Sequence, residues 1–215
     1  MRPSPATTPA RFFGLVLLLM PVTFVAWYAL GSLLAAPAVW LSSLILEPWL
    51  PELIDSVTLQ DTRMMVMATL GEVNGSFLPA EEAGYQLGLP ADTRVLTYSI
   101  PFYAALHFAT PMPASWERFA RALLVLWLLV ILGLVSTTLK NFMVTFGERL
   151  IALPQSPPAD VIALAYQFNT LIVPPLAPIL LWGLAVRNTP VMQSLFPAAL
   201  AQSARGESSD AKDHR

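Results

Sequence analysis

The chain has 215 residues, of which 55% are hydrophobic and only 12% are charged. A soluble domain has about a quarter charged residues, so this composition excludes an ordinary soluble domain and indicates a membrane protein. The net charge of −2, without a basic stripe, gives no support to a nucleic-acid partner. Cysteine is absent and the two histidines lie far apart, so the sequence predicts no disulfide, metal site, cofactor or cysteine nucleophile.

Four runs without Asp, Glu, Lys or Arg predict four transmembrane helices embedded in the lipid bilayer. Each run has the roughly 20 apolar residues that a helix needs to cross about 30 Å of hydrocarbon. The fold class predicted is an all-α membrane protein with a small periplasmic β-hairpin or three-strand element between helices one and two. Its predicted segments are a cytoplasmic N-terminus (1–11), a first helix with an interfacial continuation (12–46), an acidic periplasmic loop (47–94), a second helix (95–116), a third helix (119–139), a periplasmic loop with an interfacial helix (140–160), a fourth helix (161–186) and a disordered cytoplasmic tail (187–215).

The first run is longer than one crossing requires. As a single helix, residues 12–46 would extend about 50 Å. We therefore expect residues 12–34 to span the membrane and the following part to lie at its outer surface. Arginines before the run and small residues near Ala38 resemble a cleavable signal peptide, but the hydrophobic region of such a peptide is only about 7–15 residues long. We interpret the run as an uncleaved anchor.

The distribution of Lys and Arg predicts the orientation. Eight of these residues precede the first run, separate the second from the third, or follow the fourth, whereas four fall in the other two loops. Positive charge accumulates on the cytoplasmic side of membrane proteins. We therefore predict a multi-pass protein of the bacterial inner membrane with both termini in the cytoplasm.

The first loop has the sequence character of a small antiparallel β element. SVTLQ and RMMVMATLGEV are rich in residues that favour strands, and Asn74-Gly75 between apolar segments is typical of a hairpin turn. RVLTYSI is expected to form a third extended segment. An open strand edge in this loop would be able to accept a peptide strand.

Two basic residues, Arg63 and Arg94, stand out in this acidic loop. They are candidates for periplasmic recognition, because the arginine guanidinium binds a carboxylate in a two-pronged geometry. The alternative is local ion pairing with Asp61 or Asp92, which contributes little when it is exposed.

His107 is the one ionisable residue predicted within a span. An ionisable group inside the membrane is a functional candidate by default, and the pKa range of histidine suits proton transfer. The alternative is a neutral histidine that forms hydrogen bonds within the helix packing.

The fourth run combines polar residues with three prolines. On a regular helix Tyr166, Asn169 and Thr170 fall on one face, with Gln167 at its edge. Polar side chains in hydrocarbon usually form hydrogen bonds with neighbouring helices, so these four residues are candidates for partner binding or for internal helix packing. The minority interpretation is an ion or substrate pathway that uses backbone carbonyls freed by the prolines.

The chain resembles the exosortase H-associated membrane proteins, small integral membrane proteins associated with a bacterial protein-sorting transpeptidase. The resemblance lies in RFFGLVLLLMPVTFVAWYALGSLLAAPA, LPELIDSVTLQ, LTYSIPFYAALHFATP and IALAYQFNTLIVPPLAPILLWGL, and it covers most of residues 11–184. The middle of the first loop and the tail depart from it.

The resemblance implies an accessory role. Exosortases resemble cysteine transpeptidases, and a chain without cysteine cannot be the transpeptidase itself. We therefore expect a non-catalytic membrane protein whose partner is the exosortase or its substrate. The alternative is a small transporter or channel subunit that uses His107 and the proline-kinked fourth helix. A membrane enzyme is disfavoured, because no nucleophile, metal or nucleotide motif is present.

Overall fold

The computed structural model describes residues 9–187, so most of the predicted N-terminal segment and nearly all of the predicted tail lie outside the described residues. The described part is mostly helical, and four helical segments, the last of them Ala159–Val186, are long and apolar enough to cross a membrane. In chain order the helices are α1 (Pro9–Ala29), α2 (Gly31–Trp49), α3 (Ala80–Ala83), α4 (Arg94–Thr97), α5 (Ser99–Phe108), α6 (Ser115–Phe146), α7 (Glu148–Ile151), α8 (Ala159–Gln167) and, after a π-helical turn at Phe168–Ile172, α9 (Val173–Val186).

The first apolar run forms two helices separated by a one-residue interruption at Leu30. Hydrogen bonds from Leu30 N to Ala26 O (2.9 Å) and from Leu34 N to Leu30 O (3.0 Å) continue the helical pattern through it. Gly31 follows immediately, and a Cβ there would lie only 3.0 Å from the methyl group of Thr62. The break therefore lies a few residues before the predicted end of the span at residue 34, and α1 and α2 are each long enough and apolar enough to be a candidate span.

The second predicted span is the largest departure from expectation. Residues 95–116 do not form one helix; α4 has 4 residues and α5 has 10, so α5 rises only about 15 Å. Pro111, Pro113 and a left-handed Ala114 (φ 52°) then turn the chain into α6. RVLTYSI belongs to these two helices and is not extended, so the prediction of a strand there is wrong.

The third predicted span, residues 119–139, lies within the longer helix α6. This helix has 32 residues and extends about 48 Å, so it includes the first part of the segment predicted as an interfacial helix. Gly147, with φ +46°, ends it, and the short α7 follows.

The predicted β element contains five short strands in two sheets. β1 (Ile54–Gln60), β2 (Arg63–Ala68) and β5 (Gly88–Asp92) form an antiparallel sheet in the order β1-β2-β5. β3 (Leu70–Val73) and β4 (Ser76–Pro79) form a hairpin. Its turn is Asn74-Gly75, and both residues have the positive φ that a two-residue hairpin turn requires.

The interior divides into two apolar clusters. One joins α2, the three-stranded sheet and the second half of α6, around fully buried residues such as Leu46, Met64 and Phe142. The other joins α1, α5, α9 and the first half of α6, and there Phe12 stacks on Trp182 with ring centroids 5.2 Å apart. Because this contact joins the start of α1 to the end of α9, both ends of the described chain lie at the same end of the bundle.

Candidate functional site

His107 lies fully buried near the end of α5, where both ring nitrogens have partners. The Tyr103 hydroxyl is 3.1 Å from Nδ1, and Nε2 is 2.8 Å from the backbone oxygen of Ser115 and 3.0 Å from its Oγ. A neutral ring that donates from Nε2 to the Ser115 carbonyl and accepts at Nδ1 from Tyr103 satisfies this arrangement. Phe108 and Phe119 pack around the ring. The packing is aromatic and both ring nitrogens already have partners, which favours a packing role for this histidine.

The four polar residues of the fourth span do not converge on one site. Val173 N donates to Phe168 O, five residues back, so the helix contains a π turn just before Pro174. Thr170 is buried and its hydroxyl donates to the backbone oxygen of Tyr166 at 2.6 Å. Tyr166 itself is half-buried, with the ammonium of Lys140 4.9 Å from its ring centroid. Such an arrangement is typical of a cation–π contact.

Asn169 and Gln167 point in different directions. Asn169 is half-buried and lines a cavity of about 10 Å³ with Leu96, Ser99 and Pro174. That volume is at the lower limit for a single water molecule, so Asn169 belongs to the internal packing of the bundle. Gln167 is exposed on the outer surface of the fourth helix.

Gln167 lies within an apolar surface strip. Leu164 lies three residues before it, Phe168 is the next residue and Leu171 lies four residues after it, and all three are more than half exposed. We call these four residues the Gln167 strip. A side-chain amide that faces hydrocarbon has no water to bond, so it favours contact with a polar group of another membrane helix. The strip is therefore the part of the predicted set that is suited to binding a partner.

Arg63 and Arg94 lie on the strands' side of the molecule but do not share one site. Arg63 is exposed at the start of β2, opposite Asp92 in the sheet register. Arg94 begins α4, and its guanidinium lies 4.4 Å from the ring centroid of Tyr28. Its Nε is buried without a hydrogen-bond partner among the described residues.

The expected local ion pairs are not formed. Within residues 9–187, neither Arg63 nor Arg94 comes within 4 Å of an acidic oxygen of Asp61 or Asp92. Asp92 instead accepts a hydrogen bond from the backbone N of Arg94, at 2.9 Å.

Tryptophan side chains make the long-range contacts that sequence reasoning missed. Four indole N–H groups connect distant segments: Trp27 to Thr97 Oγ1 (3.1 Å), Trp49 to Gln155 O (3.2 Å), Trp127 to Leu34 O (2.9 Å) and Trp182 to Thr110 Oγ1 (3.0 Å). The sequence signal was the tryptophan content itself, because a buried indole N–H usually finds an acceptor.

A second missed feature is a cleft where α6 begins and α9 ends. Arg118, Arg121 and Arg187 line it, and its volume is about 700 Å³. The sequence signal was present, since the same three arginines flank the predicted spans on one side of the membrane.

Comparison with known proteins adds the family. A family model described as exosortase H-associated membrane protein matches residues 6–189. The chain belongs to this family. The match confirms the resemblance found over residues 11–184, and it spans every helix and strand described above. No curated protein and no solved structure matches this exosortase H-associated membrane protein significantly.

Proposed function

We propose that this exosortase H-associated membrane protein is a non-catalytic accessory protein of the bacterial inner membrane that binds an exosortase-type transpeptidase. The family description names the association, and the chain has no cysteine with which to perform a thiol-dependent transpeptidation itself. The observation that carries the proposal is the Gln167 strip, an amide held within an exposed apolar surface on a helix long enough to cross the membrane.

The orientation in this proposal follows from the arginines at one end of the bundle. Arg118, Arg121 and Arg187 lie together there, and the Phe12–Trp182 contact brings the start of α1 to the same end. Because positive charge favours the cytoplasmic side, this end faces the cytoplasm and the β sheets face the periplasm. A reporter fused after Gly75 is expected to be active only in the periplasm, and cytoplasmic activity would refute this orientation.

The strip gives the proposal a direct test. In Gln167→Leu the intermolecular hydrogen bond is lost, and such bonds contribute about 0.6–1.7 kcal/mol in membranes. We expect the affinity for the transpeptidase to fall about three- to twenty-fold. The measurement is co-purification of the full chain with its partner in mild detergent, followed by titration of the purified proteins.

Two further variants separate binding from folding. Gln60→Leu makes the same chemical change at an exposed position of β1, away from the strip, and is expected to leave recovery of the partner unchanged. Asn169→Leu changes an internal residue, so it is expected to alter stability more than partner recovery. Equal recovery with Gln167→Leu and the unmodified chain would refute the role of the strip. Loss of the substrate but not of the transpeptidase would identify the substrate's helix as the occupant.

A further inference from the structure

The cleft at the cytoplasmic end of the proposed orientation combines positive charge with an apolar wall. Three arginines, Arg118, Arg121 and Arg187, line it, and none of its described lining residues is acidic. Its wall is formed by apolar residues of α6 and α9, namely Ala122, Val125, Leu181 and Leu184. A volume of about 700 Å³ is typical of sites that hold a small molecule.

Arg118 is held in place at this cleft. It is half-buried, and its Nη1 donates to the backbone oxygen of Ala185 at 3.3 Å, close to the end of α9. A guanidinium has five N–H donors in a planar fork, so this bond leaves donors that can bind an anion. Arg121 is exposed, and its contact with Glu117 at 3.4 Å is a surface pair in which both side chains are about two-thirds exposed. Such a pair contributes little and can be displaced.

The apolar wall continues onto the outer surface of the helices. Val125 and Leu184 line the cleft and are both exposed, and Leu124 and Leu180 are exposed nearby along the same two helices. A ligand whose anionic group contacts the arginines can therefore place an apolar chain along α6 and α9. An anionic headgroup is favoured over a zwitterionic choline-type headgroup, because the ammonium group of choline would be repelled by the three arginines.

We propose that this cleft binds the phosphate headgroup of an anionic glycerophospholipid, with its acyl chains along the exposed sides of α6 and α9. Basic pockets between membrane helices at the cytoplasmic face are suited to such headgroups. The bound lipid would connect the loop before α6 to the end of α9. This inference does not depend on the transpeptidase, since it concerns the opposite end of the bundle from the Gln167 strip.

The test uses the purified full chain in a neutral detergent. Equal amounts of phosphatidylglycerol and phosphatidylcholine are added, and retained lipid is counted by native mass spectrometry. We expect phosphatidylglycerol to be retained preferentially. In Arg121→Gln/Arg187→Gln, binding is expected to fall about 30-fold, which corresponds to about 1 kcal/mol for each arginine. This double variant spares the Arg118–Ala185 bond and should fold normally; Arg118→Gln is expected to weaken binding as well.

Matched variants test whether the arginines of the cleft themselves hold the lipid. Arg63→Gln removes one positive charge at an exposed position in the sheet, and it should leave lipid binding unchanged. Equal retention of both lipids, or an equal loss in Arg63→Gln, would overturn the proposal. Displacement of the lipid by inorganic phosphate at comparable concentration would show a site for free anions instead. Lipid binding seen only after Glu207→Gln, Asp210→Asn and Asp213→Asn would identify the carboxylates of the tail as the occupant, which also overturns it.

Discussion

The hydrogen bonds of His107 lead to a quantitative prediction about stability. In His107→Leu the side-chain volume is largely kept, but the contacts with Tyr103 Oη (3.1 Å) and Ser115 O (2.8 Å) are lost. Each hydrogen bond contributes about 0.5–1.5 kcal/mol, and a buried hydroxyl left without an acceptor costs about 1–3 kcal/mol more. Because Tyr103 is almost fully buried, we expect His107→Leu to lower the free energy of unfolding by about 2–6 kcal/mol.

A double-mutant cycle separates the Tyr103–His107 pair from its surroundings. Tyr103→Phe alone leaves Nδ1 without its donor and should also destabilise the protein. In Tyr103→Phe/His107→Leu both polar groups are absent, so the loss should be about 1–3 kcal/mol smaller than the sum of the two single losses. The measurement is unfolding in mixed detergent micelles, followed by tryptophan fluorescence.

The control pairs His107→Leu with Tyr28→Phe. Tyr28 is exposed and its ring lies against Arg94 at the start of α4, which is not a partner of His107, so its effect should add to that of His107→Leu within about 0.5 kcal/mol. Additivity for Tyr103 and His107 as well would refute the packing role assigned to the histidine. Loss of partner recovery in His107→Leu without loss of stability would instead indicate a functional role.

Three glycines give further predictions. Gly75 has φ +77°, so Gly75→Ala should lower the free energy of unfolding by about 1 kcal/mol or more. A Cβ on Gly14, within α1, would meet no neighbouring side chain within 4 Å, so Gly14→Ala should raise the free energy of unfolding by about 0.5–1 kcal/mol. Denaturation of both variants checks this, and equal effects of the two substitutions would contradict it. A Cβ on Gly133 would lie 2.7 Å from a methyl carbon of buried Leu96, so Gly133→Ala should destabilise by about 1–3 kcal/mol. Adding Leu96→Ala should recover part of that loss, and a fully additive double variant would show that the two residues do not meet.

The features that the sequence predicts most reliably are those that depend only on residues close together in the chain. Asn74-Gly75 is recognisable as a turn because both residues tolerate positive φ, and no distant contact is needed to form it. Long uncharged runs likewise predict α6 and the α8–α9 segment, since burial in lipid depends on composition.

What depends on distant contacts could not be predicted. RVLTYSI has β-branched and aromatic residues that favour a strand, but Leu96 packs closely against Gly133 of α6 and the segment is helical. The intrinsic preference of such residues for a strand is weak, and tertiary packing routinely overrides it. The interruption at Leu30 is a similar case, because the adjacent Gly31 is closely approached by Thr62, a residue far away in the chain.

The irregularity within the fourth span could not be predicted for a different reason. A regular helix rotates about 100° per residue, and that rotation placed Tyr166, Asn169 and Thr170 together. The π turn at Phe168–Ile172 inserts about one residue into the helix and shifts the register of the residues that follow relative to those before. The prolines indicated an irregularity, but their number and spacing do not specify whether it is a kink or a π turn.

Both edge strands of the three-stranded sheet already form hydrogen bonds with side chains of neighbouring helices, which disfavours them as partner-binding sites. At the β1 edge, Val57 N donates to Glu47 Oε1 of α2 at 2.9 Å; at the β5 edge, Asn141 of α6 donates to Pro90 O at 3.0 Å. Pro90 also has no N–H to offer an added strand. A peptide strand would therefore have to displace side chains that hold the sheet against α2 and α6. Because binding a peptide would break these existing hydrogen bonds, the sheet is better suited to packing against the helices than to accepting a peptide strand. The exposed helix surfaces are therefore better suited to binding a partner.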